Sequence, residues 1–285
     1  GSVMCGPGGG RFVYELRRRF DLYCKLAPIR SESPLAGASP LGGAAARSSV
    51  DIMVVRDNVG GVYQGQWSET YDAATGRQAS HSFSYSEAQV RRLVGAAARV
   101  ACLRSRRLAV VLKDGGVPSI TALWRDVAEE VCEPLGIEPE FINVDYAAYR
   151  MLERPDLFDT MVTPNLFGDI MADLGGVLLG SRGLCYSANF RPNGSAVYQT
   201  GHGSAHDLAG TDRANPVAQI QSMAMMLRES FGQRHAADLV ERAVSAVFAD
   251  GWRTADLPMG GTVVGTQGMC DLIARKVETL AAGGA

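Results

Sequence analysis

The sequence has no long apolar run, no closely spaced cysteine pair and no extended basic stretch. Within its 285 residues no segment reaches transmembrane length, and the first residues show no signal-peptide pattern. The net charge is −2, and the longest basic run is the arginine triplet 17–19, so the electrostatic footprint of a nucleic-acid-binding protein is missing. The six cysteines are scattered without a CxxC pair, which predicts reduced thiols in a cytoplasmic protein.

Segments typical of strands and of helices alternate along most of the chain, which predicts an α/β fold with a largely parallel sheet. A chain of this length suits one large domain or two small ones. Residues 1–10, 31–49, 180–195 and 201–210 are predicted to be loops or links, and 68–82 an irregular arm. Strands are predicted at 51–56, 62–65, 108–112, 140–144, 158–163 and 196–199, and helices at 12–26, 86–104, 120–135, 146–152, 165–179, 215–231, 235–249 and 266–281.

The most informative segment is Asn-Leu-Phe-Gly-Asp-Ile-Met-Ala-Asp at residues 165–173, which follows a predicted buried strand. Asp169 and Asp173 are four residues apart on the predicted helix and therefore share one face. The helix is apolar nearly all round, which predicts burial, and buried paired carboxylates need a partner. We interpret the pair as a site for a divalent metal ion. Two solvated acids on a surface helix are the alternative, because such pairs are common.

Five segments in one order together resemble the β-decarboxylating dehydrogenases, the family of isopropylmalate, isocitrate, homoisocitrate and tartrate dehydrogenases. The isopropylmalate and tartrate branches are the most similar, and the resemblance runs from about Arg17 to the C-terminus. The segments are Leu-Arg-Arg-Arg-Phe-Asp-Leu-Tyr at 16–23, Val-Arg-Asp-Asn-Val-Gly-Gly-Val-Tyr at 55–63, the acidic segment 165–173, Gly-His-Gly-Ser-Ala-His-Asp at 201–207 and Ala-Asn-Pro at 214–216.

The resemblance implies the two-domain fold of isopropylmalate dehydrogenase. Residues 1–26 and 181–285 would form a large domain on the cofactor side. Residues 27–180 would form a small domain with the dimer arm and the metal and substrate residues.

The resemblance also implies a metal site and two proton-transfer residues. Asp169 and Asp173 would bind Mg²⁺ or Mn²⁺ with Asp145 of the partner subunit in a homodimer, and the metal would act as a Lewis acid on the substrate. Lys113 matches the family's lysine base, and Tyr85 matches the tyrosine that protonates the enol after CO₂ leaves. Without the resemblance, Lys113 is a solvated lysine at a strand end and Tyr85 a packing residue.

Substrate and cofactor contacts follow from the same resemblance. Arg17 and Arg56 match arginines that clamp substrate carboxylates, for which a guanidinium fork is well suited; taken alone, Arg17 is a charge on a helix surface. An acid at Asp207 would bind the ribose hydroxyls of NAD and repel the 2′-phosphate of NADP. Asn215 is expected both to contact the adenine and to cap the next helix. The residues that match the cofactor-binding pattern are His202, Gly203, Ser204, Ala205, Asp207 and Asn215.

Three departures from the family pattern accompany these matches. A βαβ unit takes ~30 residues or more, and the first such unit of the large domain is expected to be lacking; the sequence is then part of a longer chain, a natural short form, or one completed by a partner. Ala27 stands in place of a second carboxylate-binding arginine, for which Lys25 or Arg30 is a candidate replacement. Asp-Gly-Gly at 114–116 and Gln199 replace a common Asn and a common acid.

The sequence therefore predicts an enzyme, a metal- and NAD-dependent oxidoreductase that decarboxylates a 3-carboxy-2-hydroxy acid similar to isopropylmalate. It would act as a cytoplasmic homodimer without a nucleic-acid or membrane partner. The alternative is a non-catalytic or regulatory subunit of the same family, motivated by the expected short N-terminus. The substituent at the substrate's 3-position stays open, because residues 11–15 are compatible with bulky, apolar or anionic groups.

Overall fold

The computed structural model describes residues 1–6, 11–35, 37–41 and 50–283. Its strands are β1 (Val3–Met4), β2 (Cys24–Arg30), β3 (Asp51–Asp57), β4 (Gln66–Asp72), β5 (Gly76–Ser82), β6 (Leu108–Leu112), β7 (Pro139–Asn143), β8 (Thr160–Thr163), β9 (Tyr186–Phe190), β10 (Ala196–Thr200), β11 (Trp252–Arg253) and β12 (Thr262–Val263). Its helices are α1 (Phe12–Arg19), α2 (Glu87–Cys102), α3 (Pro118–Cys132), α4 (Val144–Glu153), α5 (Asn165–Leu179), α6 (Val217–Glu229), α7 (Arg234–Ala249) and α8 (Thr266–Ala282).

The main sheet of the described residues has eight strands in the order β1-β10-β9-β2-β3-β8-β6-β7. The last four strands in this order are parallel, and β1 is parallel to β10, whereas the three pairings between β10 and β3 are antiparallel. Parallel neighbours need a crossover, which α3 supplies between β6 and β7. The mixed α/β fold with a largely parallel sheet is confirmed.

Each face of this sheet carries its own apolar core, because neighbouring residues of a strand point to opposite faces. On β3, Ile52 and Val54 belong to one core and Val55 to the other. Helices α4, α5, α7 and α8 cover the face of Ile52, while α2 and α3 cover the face of Val55. The candidate site lies on the first face, under α5.

The division into two domains, 1–26 with 181–285 and 27–180, stays a prediction. The sheet is continuous across the proposed boundary at residues 26 and 27, since both residues lie within β2. Strand β9, from the proposed large domain, pairs with β2 through Ala188 opposite Leu26.

The predicted arm is a regular hairpin rather than an irregular segment. Strands β4 and β5 pair only with each other, and apart from Gly76 all their residues are exposed. The segment was interpreted as irregular because it has no apolar alternation, and a hairpin with two solvent faces needs none.

The structure contradicts the sequence prediction at three other places. The predicted helix 12–26 ends at Arg19, and residues 24–30 form β2, where pairing to β3 and β9 overrides the local helical pattern. The predicted strand 62–65 is a 3-10 turn, Val62–Gln64, which follows Gly61 at φ +70°. Strand β9 lies in the segment that was predicted as a Gly/Ser-rich link.

Two predicted loops fall partly outside the described residues. Of the segment 31–49, residues 36 and 42–49 lie outside them, and the rest contains the turn Ser33–Leu35 with Leu35 buried. Of the segment 1–10, residues 7–10 lie outside them, and β1 occupies two of the others.

No helix among the described residues has the length and apolar character needed to cross a membrane. All six cysteines fall within the described ranges and are free thiols, as expected from their scattered positions.

Candidate active site

The candidate site lies at the carboxyl ends of the parallel strands, where ligands bind in open α/β sheets. Arg56 and Asp57 end β3, Lys113 directly follows β6, and α5 begins at Asn165 two residues after β8. These side chains are therefore placed at one edge of the sheet by the strand topology itself.

Arg56 is the most buried charged side chain of the site, with 1% of its surface exposed. Its Nη1 forms an ion pair with Asp169, while Nε and Nη2 donate to Asn165 Oδ1 at 3.1 and 2.8 Å. Gly168 makes this approach possible, because a Cβ there would lie 2.7 Å from Arg56 Cγ and 2.8 Å from its Cβ. The guanidinium is thus fixed against the first two turns of α5.

Asp169 accepts from two side chains at once. Besides the Arg56 ion pair, Tyr63 Oη donates to Asp169 Oδ2 at 2.9 Å. Burial raises the pKa of Asp169, but the Arg56 charge and the Tyr63 hydrogen bond outweigh it and hold the pKa below its usual value. Burial and the nearby carboxylate raise the pKa of Tyr63 to about 12. At neutral pH the pair is therefore an ionised carboxylate and a protonated phenol.

The premise that α5 is buried all round is wrong. Asp173 and Ile170 are exposed, whereas Met171 and Leu178 face the core, because α5 packs on the sheet with one side only. Asp173 forms an ion pair with Arg182 at 2.9 Å. The two acids of the 165–173 segment thus share a helix face as predicted, but each already contacts an arginine.

Lys113 and Asp145 form an ion pair at 2.8 Å, with 38% and 67% of their side-chain surfaces exposed. The hydrogen bond from Lys113 lowers the pKa of Asp145. Among the described residues no group of three His, Cys, Asp or Glu side chains could hold a metal ion. A single chain therefore does not bring Asp145 together with Asp169 and Asp173.

Tyr85 contacts the start of α5, and its proton-transfer role stays a prediction. Its hydroxyl donates to Asp57 Oδ2 at 3.1 Å and accepts from the Asn165 backbone N–H at 3.1 Å. Burial, followed by the Asp57 charge, raises the pKa of Tyr85. Its ring also meets Trp124 edge-on, with centroids 5.4 Å apart. The hydroxyl is thus engaged in fixing the start of α5.

Tyr63 contacts Asp169 although the sequence prediction did not single it out. It belongs to the segment 55–63 that carried the resemblance, but it received no role there. The turn at Gly60 and Gly61 directs the chain back toward α5, and this brings the Tyr63 hydroxyl to Asp169. The two glycines that follow Arg56 closely in the sequence were the signal from which this turn could have been predicted.

Two further cations are buried beside Arg56. Arg17 is 7% exposed, and its Nε is buried without a hydrogen-bond partner. Lys25 is 5% exposed and lies directly opposite Arg56 in the register of β2 and β3. Burial, followed by the charge of Arg56, lowers the pKa of Arg17 to about 10 and that of Lys25 to about 7. The site thus collects three cations around the single carboxylate of Asp169.

The predicted cofactor residues lie on the loop after β10. His202 Nδ1 is 2.8 Å from Gly203 O, and Ala205 adopts the left-handed conformation with φ +44°. Ser204 is partly buried, and Asp207 is exposed in the short turn His206–Leu208. The loop thus presents its predicted acid to solvent.

The predicted cap at Asn215 is wrong, because α6 begins at Val217 with Pro216 at its N-cap position and no side-chain capping bond, but Asn215 does contact the start of the helix. Its Oδ1 accepts the Val217 N–H at 3.0 Å at the start of α6, and its Nδ2 donates to Asp256 at 3.1 Å. Gly183 allows close packing here, since a Cβ there would lie 2.7 Å from the Asn215 Cβ. Because Gly183 follows Arg182, the partner of Asp173, α5 and the segment before α6 are connected through adjacent residues.

Known proteins have similar sequences over most of the chain. A family model described as isocitrate/isopropylmalate dehydrogenase matches residues 10–273. The 3-isopropylmalate dehydrogenase of Symbiobacterium thermophilum is 41% identical over 275 residues, 92% of this chain and 74% of that protein. That of Aquifex aeolicus is 36% identical over 270 residues, 94% of this chain and 73% of that protein.

Solved structures show the same likeness. The isocitrate dehydrogenase structure from Methylococcus capsulatus superposes with a TM-score of 0.85 at 30% identity, covering 96% of this chain and 81% of that one. The TT0538 protein from Thermus thermophilus gives a TM-score of 0.83 at 27% identity, covering 95% and 55%. With its cationic cluster beside an acidic helix and its glycine-rich loop after β10, the chain belongs to the isocitrate/isopropylmalate dehydrogenase family.

Proposed function

We propose that this chain catalyses the oxidative decarboxylation of a 2-hydroxy acid that bears a 3-carboxylate, with hydride transfer to NAD. The observation that carries the proposal is the buried pair Arg17 and Arg56 next to an ionised Asp169 and the Tyr63 hydroxyl. Buried cations without enough acids to balance them favour an anionic ligand, and a guanidinium matches the geometry of a carboxylate. Arg17 and Arg56 would therefore bind the substrate carboxylates.

The donor set of the acidic residues fits a hard divalent cation. Asp169 and Asp173 would hold Mg²⁺ or Mn²⁺ together with Asp145 of the partner subunit, since carboxylate oxygens are the ligands these ions prefer. Asp169 is already ionised at neutral pH, because Arg56 and Tyr63 hold its pKa down. When bound, the metal supplies Lewis-acid polarisation of the 2-hydroxyl and its neighbouring carboxylate.

We assign proton transfer to Lys113 and a tyrosine. Lys113 would take the proton of the 2-hydroxyl, and NAD, when bound, would supply the hydride acceptor for C2. Loss of the 3-carboxylate as CO₂ would leave an enolate, which needs a proton at C3. Tyr63 is better placed to donate it than the predicted Tyr85, because Tyr63 contacts Asp169, whereas the Tyr85 hydroxyl bridges Asp57 and the Asn165 backbone.

The loop after β10 would bind the adenosine of NAD. Asp207 is exposed and can accept hydrogen bonds from the ribose hydroxyls of NAD. Its negative charge would repel the 2′-phosphate of NADP. Asn215 lies beside the loop and would contact the adenine. The remaining predicted loop contacts are His202, Gly203, Ser204 and Ala205.

We also propose a homodimer with the site shared between subunits. The support is the separation of Lys113 and Asp145 from Asp169 within one chain, together with exposed apolar side chains on two adjacent helices, α4 and α5. These exposed side chains are Tyr146, Tyr149 and Ile170. A second copy that covered them would bring its own Lys113 and Asp145 toward Asp169.

The test is NADH formation with Mn²⁺ and a panel of 3-substituted malates, isopropylmalate and tartrate included. We expect wild-type turnover to be lost in Lys113→Ala and in Asp169→Asn, because each removes a group at the reacting atoms. Lys276→Ala, at a half-buried position of α8, and Asp126→Asn, at an exposed position of α3, are the matched controls and should retain wild-type rates. Wild-type rates in Lys113→Ala would sink the proposal.

A non-catalytic or regulatory subunit would give a different pattern. The wild-type protein would show no turnover with any acid of the panel by itself, and turnover would appear only when a paralogue of the same family was added. Turnover by the isolated chain excludes this alternative.

A further inference from the structure

Lys25 is a buried lysine that forms no direct ion pair among the described residues. Only 5% of the residue is exposed, and its Nζ has no hydrogen bond, although Nζ keeps some contact with solvent and the charges of Asp169 and Asp173 act on it. A buried ammonium normally pairs with an acid or extends to water, since an uncompensated buried charge is strongly destabilising. An anionic ligand would compensate the charge of Lys25.

The position of Lys25 in the sheet places it next to another cation. It lies directly opposite Arg56 across the β2–β3 pairing, so the two side chains share one face, and like charges placed opposite each other are destabilising. Arg17 adds a third cation from α1. The other cross-strand neighbour of Lys25, Asn189 on β9, is uncharged.

The nearby acids are already engaged elsewhere. Asp169 contacts Arg56 and Tyr63 through its two oxygens, and Asp173 pairs with Arg182. Arg17 Nε has no partner either. Lys25 Nζ and Arg17 Nε thus both lack a hydrogen-bond partner among the described residues, and the charge of Arg56 lowers the pKa of both groups.

We propose that Lys25 binds a carboxylate of the substrate directly, as the third cation of the site with Arg17 and Arg56, and so selects acids with at least two carboxylates. The inference rests on the proposed function and assigns a specificity residue to it. An anion there would satisfy the free donors of Lys25 and Arg17 at once, and charge-assisted hydrogen bonds are the strong ones.

Burial, followed by the charges of Arg56 and Arg17, lowers the pKa of Lys25 to about 7, while Asp169 and Asp173 oppose this shift. A bound carboxylate would add a further opposing charge and keep the ammonium protonated. At neutral pH a bound anion would therefore increase the protonated fraction of Lys25.

The experiment compares Lys25→Met and Lys25→Gln with the wild type and with Lys276→Met, a matched control at a half-buried position of α8. With the best acid of the panel we expect KM to rise at least about tenfold in both Lys25 variants, the effect of a lost charged hydrogen bond, with kcat within about threefold. The control should keep wild-type values.

Binding of malonate to the free protein, measured by calorimetry without NAD or metal, separates this inference from the proposed function. A wild-type Kd that weakens at least about tenfold in Lys25→Met supports Lys25 even where no acid is turned over. Wild-type KM and malonate Kd in both Lys25 variants would overturn the inference and leave the enzyme proposal intact. Failure of both variants to fold would overturn it too, because Lys25 would then be a structural residue.

Discussion

At the scale of single residues, the two tyrosines near the start of α5 differ in what their hydroxyls contact. Tyr63→Phe removes the group beside Asp169, and we expect kcat to fall by about 10²-fold or more, as for a lost general acid. Tyr85→Phe removes the link between Asp57 and the Asn165 backbone, and we expect a loss of ~1 kcal/mol in unfolding free energy with less than a tenfold loss of kcat.

Steady-state kinetics and urea unfolding of both variants distinguish the two roles. The reverse outcome, with kcat lost in Tyr85→Phe and retained in Tyr63→Phe, would restore the role that the sequence alone gave to Tyr85.

Lys25 predicts a pH dependence of stability. Its pKa is about 7 in the folded chain and about 10.4 in an unfolded one. Between these values the unfolded chain binds more protons, so the unfolding free energy rises with pH. The destabilisation is fully present below pH 7 and is relieved above it. The charged groups that face Lys25 are Arg17 of α1, Arg56 of β3, and Asp169 and Asp173 of α5.

From pH 7 to pH 8 we expect the wild type to gain ~1 kcal/mol of unfolding free energy relative to Lys25→Met. Urea unfolding at both pH values, without ligands, measures this difference. Parallel pH profiles of the two proteins would show that Lys25 does not titrate in this window.

The sequence could single out Arg17, Arg56, Asp169 and Lys113 as candidates, because each sits in a motif or at a predicted strand end, and their roles stay predictions. It could not show that the Tyr63 hydroxyl contacts Asp169, since that contact depends on the turn at Gly60 and Gly61. Spacing along the chain does not contain that information.

At the scale of elements, α5 depends on a glycine that packs against Arg56. Gly168→Ala would place a Cβ 2.8 Å or less from two Arg56 carbons, and we expect a loss of ~1–3 kcal/mol in unfolding free energy. Gly95→Ala in α2 is the matched control. Its Cβ would meet only Arg99 Nη1, at 3.6 Å, and better helix propensity should add ~0.5–1 kcal/mol.

Equilibrium urea unfolding of the two alanine variants gives the comparison. Equal stabilities would show that α5 can move away from β3 without cost, against the close approach seen here.

Elements with local signals were predicted well, and elements that depend on distant partners were not. Helix α5 spans residues 165–179 as predicted, ended by Gly180 at φ +86°, and α2 begins at the predicted capping box of Ser86 and Gln89. Strands β2 and β9 were missed because they form by pairing with segments far away in the sequence.

At the scale of the whole molecule, a site shared between subunits predicts complementation. Lys113→Ala and Asp169→Asn homodimers should each be inactive, but a mixed dimer would contain one intact site. Mixing equal amounts after reversible dissociation should recover up to about a quarter of wild-type activity, because half the dimers are mixed and each has one of two sites.

Activity of the mixture is measured against each variant alone, with sedimentation to follow the dimer. A mixture that forms dimers but stays inactive would place the two residues in the same site of one chain.

The placement of the three lysines has one more consequence. Lys25 is buried among arginines, Lys113 pairs with Asp145, and Lys276 pairs with Asp250 on the surface. Among the 28 basic residues these are the only primary amines on side chains. An acylating reagent that modifies amines and ignores guanidinium groups would thus report almost exclusively on the two candidate-site lysines, with Lys276 as an internal reference, and mass spectrometry could read occupancy of the site without any substrate turnover.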